Sequence, residues 1–67
     1  MKEYDIETIH ESLINGQRRQ MVNQIEKYGK YDFFEDYKQY LDGLWCAAEA
    51  YRYFSDAVIS YHRIINR

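Results

Sequence analysis

Residues 32–65 read DFFEDYKQYLDGLWCAAEAYRYFSDAVISYHRII, and the fold turns on how that stretch is parsed. Alternate steps of four and three from Phe33 meet Tyr37, Tyr40, Leu44, Ala47, Tyr51, Phe54, Val58, Tyr61 and Ile65, all apolar or aromatic. That is an unbroken heptad seam running through Gly43. Leu41, Gly43, Ala48, Ala50, Ser55 and Ala57 flank it and let another helix approach closely. On the far side Glu35, Asp42, Glu49 and Asp56 recur every seven residues as an acidic ridge. A helix re-aimed at Gly43 has no reason to keep both registers. The pattern therefore predicts one long helix over about 32–65, tolerating Gly43 at a cost near 1 kcal/mol.

Such a helix spans about 50 Å at 1.5 Å per residue, whereas a compact domain of this length is roughly 28 Å across. Two short helices upstream cover about two-thirds of it. The uncovered seam predicts a homodimeric helical bundle. A kink at Gly43, giving a compact four-helix monomer, is the alternative.

Upstream, Asp5 is placed to cap a helix over about 6–15, with Ile6, Ile9, Leu13 and Ile14 on one face and Asn15-Gly16 as its stop. A second helix over about 17–28 carries Met21, Val22, Ile25 and Tyr28 and ends at Gly29. Arg18 and Arg19 in its first turn oppose the helix dipole. Asp32 and Glu35 have capping-box spacing for the start of the long helix.

The whole chain has 67 residues, a net charge of −2, eight tyrosines, no proline and a single cysteine. A single all-α domain of this size leaves much surface uncovered and needs unusually good packing or a partner. Tyrosine suits that need, burying a ring while keeping a polar tip. No apolar run is long enough to span a bilayer. Met1-Lys2-Glu3-Tyr4-Asp5 lacks a signal-peptide pattern, and the lone Cys46 fits a reducing cytoplasm.

Chemistry-bearing patterns are sparse. Glu7-Thr8-Ile9-His10 has one Glu-x-x-His spacing, as in helical di-metal sites, but reads better as an exposed helix face. Cys46 has neither a second cysteine nor an adjacent base, which a catalytic thiol requires. No glycine-rich phosphate loop occurs. The expectation is a non-enzyme with no cofactor and no metal. Residues 12–30 carry +3 (four Lys/Arg against Glu26) while 32–49 carry −4 (five acids against Lys38). Arg18 and Arg19, opening helix two, are thus the candidate nucleic-acid contacts, although the net charge opposes that partner. The acidic ridge has a phosphate-mimic reading against a nucleic-acid-binding enzyme.

Trp45, Arg52, Tyr53 and Ile59 lie outside the seam, and Trp, Tyr and Arg are the types enriched in interface hot spots. They are the candidate partner anchors, with Glu35, Asp42, Glu49 and Asp56 as a charged steering rim. Packing of the first two helices over them is the structural alternative.

The stretches Ser12–Val22 and Tyr28–Tyr37, about the middle third of the chain, resemble small accessory proteins encoded by bacteriophages. That resemblance brings no catalytic residues. It implies a protein acting in a host bacterial cytoplasm by binding and disabling a host or defence protein.

Overall fold

The computed structural model describes residues 4–66 and arranges them as α1 (Ile6–Ile14), α2 (Arg18–Tyr28), α3 (Lys30–Leu44) and α4 (Ala47–Ile65). The architecture is all-α, with no strand among the described residues. Met1, Lys2 and Glu3, part of the N-terminal stretch read for an export signal, lie outside them.

Local chemistry explains the first two helices. Asp5 accepts a hydrogen bond from the Thr8 backbone N–H at 2.8 Å, satisfying an N–H that the helix itself leaves unpaired. The Thr8 side chain, and then this backbone bond, hold the Asp5 carboxyl pKa below its ordinary value. α1 stops through a Schellman turn: Gln17 N–H reaches Ser12 C=O at 2.9 Å, and Gly16 N–H reaches Leu13 C=O at 3.1 Å. Gly16 takes φ +78° there, a conformation costly for any residue with a Cβ. Gly29, at φ +108°, joins α2 directly to α3. The third helix therefore begins at Lys30, two residues before the expected cap, and Asp32 sits inside its first turn. There its charge still favours the helix N-terminus.

The expected long helix is broken. Trp45 (φ −130°, ψ 159°) and Cys46 (φ −66°, ψ 164°) are extended, and the chain turns back so that α4 packs on α3 and α2. The break falls two residues beyond Gly43, which stays helical in open space. Burial outweighs continuity here. Interrupting the helix forfeits about four backbone hydrogen bonds, those of the N–H groups between Trp45 and Ala50, each worth about 1 kcal/mol net. Folding back sets Phe54 and Tyr61 edge-on to Phe34, at centroid distances of 6.0 and 5.7 Å. It also places Phe54 over Tyr37 at 6.4 Å. Burying one large side chain contributes about 1.5–3 kcal/mol, and several are buried at once. The result measures 31 × 28 × 21 Å.

The seam divides accordingly. Phe33, Tyr37 and Tyr61 enter the chain's own core, Tyr40, Phe54 and Val58 are half-buried, and Leu44, Ala47, Tyr51 and Ile65 face solvent. It is therefore not one continuous intermolecular surface. On α4 the inward face runs Ala50, Phe54, Ala57, Tyr61, turned part of a revolution from the heptad register. Ala50 and Ala57 admit a close approach, as their size suggested, and the approaching helices belong to the same chain.

Helix α2 is fastened to each of the other three helices by polar contacts. Ser12 Oγ donates to Gln24 Oε1 at 2.8 Å between α1 and α2. The Tyr28 hydroxyl donates to Asp36 at 2.7 Å between α2 and α3, and that of Tyr61 donates to Glu26 between α4 and α2. Burial, then the carboxylate bond, pushes the Tyr28 and Tyr61 hydroxyls up to about 12. Arg18 donates to Asp56 Oδ1 at 2.9 Å and to Ser60 Oγ at 2.7 Å, linking α2 to α4. Among the described residues, no buried side-chain nitrogen or oxygen lacks a partner. Much of the tyrosine excess therefore serves the interior.

Candidate functional site

The elbow between α3 and α4 presents the one tryptophan of the chain. Extended backbone at Trp45 directs its indole onto Tyr53, ring centroids 5.7 Å apart, while 43% of the residue remains exposed. Leu44 beside it is also exposed. Behind Tyr53 stands His10 of α1, edge-on at 5.2 Å. His10 shares a 2.7 Å hydrogen bond between its Nδ1 and the Tyr37 hydroxyl, and Tyr40 closes the cluster at 5.8 Å. The indole thus rests on a buried aromatic stack rather than on a mobile loop.

This overturns the exposed reading of His10, which is 7% exposed. Burial lowers its pKa, against a smaller opposing pull from Glu11. Burial likewise carries the Tyr37 hydroxyl well above its ordinary value and raises that of Tyr40. With Nδ1 engaged by Tyr37 and Glu7 in solvent, the Glu-x-x-His spacing serves the core. Among the described residues, no three His, Cys, Asp or Glu side chains gather closely enough to hold a metal ion. Cys46 is exposed at the elbow.

Three of the four expected anchors, Arg52, Tyr53 and Ile59, line one surface depression on α4 together with Glu49 and Asp56. Trp45 adjoins it through Tyr53. Ile59 is 53% exposed and Tyr51 beside it 72%, and Arg52 is loosely paired with Glu49 at 3.4 Å. Tyr53 is half-buried against α1, so the packing alternative holds for that residue, while Trp45 and Ile59 stay accessible.

The acidic ridge is likewise divided by the elbow. Glu35 and Asp42 are exposed on α3, whereas Asp56 on α4 is paired with Arg18. The continuous line of charge needed for phosphate mimicry is absent. Arg18 is committed to the α2–α4 contact, which also offsets its unfavourable place in the first turn of α2. Arg19 is exposed beside it. No helix among the described residues is long and apolar enough to cross a membrane.

The elbow corresponds to the kinked four-helix alternative, displaced from Gly43 to Trp45 and Cys46, and it is this exact place that escaped sequence reasoning. The available signal for the elbow was Glu49, an acid suited to the first turn of a helix starting at Ala47. Comparison with family models, curated proteins and solved structures finds no match to this chain.

Proposed function

We propose that this chain is a non-catalytic binding module that docks on, and thereby blocks, a host protein in a bacterial cytoplasm. The observation that carries this reading is the preorganised indole at the elbow. Trp45 is half-exposed, yet held against Tyr53, which in turn meets the buried His10. An aromatic anchor already fixed in place loses little side-chain freedom on binding, and tryptophan heads the residue types that dominate interface energetics. Leu44 extends the apolar contact. Glu49, Arg52 and Asp56 form a polar border that steers encounter, with Glu35 and Asp42 as outlying charges on α3. The phage resemblance of residues 12–37 supplies the setting and the inhibitory character.

The test is an affinity capture from bacterial lysate, run with and without nuclease and repeated with Trp45→Ala. A protein enriched under both nuclease conditions and lost with Trp45→Ala supports the reading and identifies the target. Enrichment that disappears with nuclease, or that Trp45→Ala leaves untouched, overturns it. Blocking is then measured as loss of the target's own activity at stoichiometric addition.

A further inference from the structure

We propose that a second copy of this chain docks antiparallel on the Tyr51–Ser55–Ile59 face of α4, making a two-fold dimer. This face is distinct from the Trp45 elbow, and the proposal does not rest on the function assigned to that elbow.

The charges of α4 carry the argument. Glu49, Arg52, Asp56 and Arg63 are its only Asp, Glu, Lys or Arg residues. At about 100° per residue they fall within an arc of roughly 60°. Beside that arc, on the side of α4 away from buried Ala50, Ala57 and Tyr61, runs an apolar strip. Tyr51 and Ile59 are 72% and 53% exposed, and with Phe54, Ser55 and Val58 they line one apolar surface depression. Clustered exposed apolar side chains of this kind mark an interaction surface. Ser55, at the middle of the strip, is small enough for a close helix crossing.

The order of those charges selects the occupant. From N- to C-terminus they read minus, plus, minus, plus. In a parallel two-fold pairing about this face the two charged arcs fall on opposite flanks and do not meet. In an antiparallel pairing centred on Ser55, Glu49 falls opposite Arg63 of the other copy, and Arg52 falls opposite Asp56. Each pair is offset along the axis by about 3 Å, within reach of the arginine side chains. At a shallow helix crossing near 20° the charged arc flanks the apolar strip, as the charged edges of a coiled-coil seam do. Asp56 keeps its bond to Arg18 through Oδ1, so a pairing with the other copy's Arg52 calls on Oδ2. A two-fold axis presents the same patch from both copies, so every contact occurs twice.

One helix face offers less than the roughly 800 Å² per partner of a standard interface. The expected dimer is therefore weak, with a Kd on the order of 10–100 µM. Sedimentation equilibrium of the full chain should show its mass rising from 8.2 kDa toward twice that value across this range. Glu49→Arg and Arg63→Glu should each weaken association about tenfold, because each reverses two symmetry-related pairs. An equimolar mixture of the two variants should regain it as a heterodimer. Residues 49 and 63 lie about 21 Å apart along one helix, so that rescue can only arise between chains. Circular dichroism confirms that both variants remain folded, and Trp45→Ala should leave association unchanged. A mass of one chain at several hundred micromolar overturns the proposal and leaves the face to another partner. A dimer indifferent to both reversals, or variants that fail to complement on mixing, also overturns it.

Discussion

The Tyr37 hydroxyl and His10 Nδ1 meet at 2.7 Å, with Tyr37 fully buried and His10 nearly so. This contact joins α1 to α3 at the level of the Trp45–Tyr53 pair, and it places a titratable imidazole where protonation is disfavoured.

Stability should therefore fall in mild acid. The His10 pKa is lowered from 6.5, chiefly by burial, so near that pH the unfolded chain binds a proton that the folded chain resists. The His10 contribution is complete above about 6.5 and is lost as pH falls below it, with a slope of at most about 1.4 kcal/mol per pH unit for one proton. Urea melts at a series of pH values should show the decline in the wild type, and His10→Gln should flatten it above the carboxylate range. A pH-independent midpoint from pH 7 down to pH 5 in the wild type contradicts this.

Tyr37→Phe should cost about 1–3 kcal/mol by stranding a buried imidazole nitrogen. Truncating His10 strands the hydroxyl in the same way. In a double-mutant cycle the pair should cost less than the sum of the singles, with a coupling of about 1–2 kcal/mol. Additive losses in chemical denaturation count against a direct bond.

Gly43 and Gly16 should respond oppositely to alanine. Gly43 is helical with no neighbour near its notional Cβ, so Gly43→Ala should stabilise by about 0.5–1 kcal/mol. Gly16→Ala forces a Cβ onto φ +78° and should destabilise by about 1–2 kcal/mol. Thermal melts decide both.

Ala57 is fully buried where α4 meets its neighbours. Ala57→Leu should destabilise by about 1–3 kcal/mol through overpacking. Gln39→Leu, on the exposed side of α3, should stay within about 0.5 kcal/mol of the wild type.

The parts legible in the sequence were those with local causes. Asp5 caps, Gly16 and Gly29 stop, and Ile9, Leu13, Met21, Val22, Ile25 and Tyr28 face inward because each effect acts within one turn, while Ile14, expected on the same face, ends α1 at 54% exposure. The elbow was not legible, since Trp45 and Cys46 adopt extended angles open to any residue and no glycine or proline marks them. What decides the break is the burial of Phe54 and Tyr61 against α3, a long-range effect that the heptad spacing masks. For His10 the signal existed but was overridden. Ile6, Ile9 and Leu13 already run along the face that position 10 shares, and a buried partner such as Tyr37 was all the imidazole required. Arg18, read from charge as a nucleic-acid contact, instead pairs with Asp56 of the acidic ridge.

The placement of Trp45 has an optical consequence. It is the sole indole in the chain, so fluorescence excited at the red edge, where tyrosine does not absorb, arises from the elbow alone. Its colour reads the wetness of that joint. The tyrosines around it serve as donors whose transferred excitation vanishes when the stack opens. Loosening of the α3–α4 turn can thus be timed separately from global loss of helix, on the unmodified protein and without an added label.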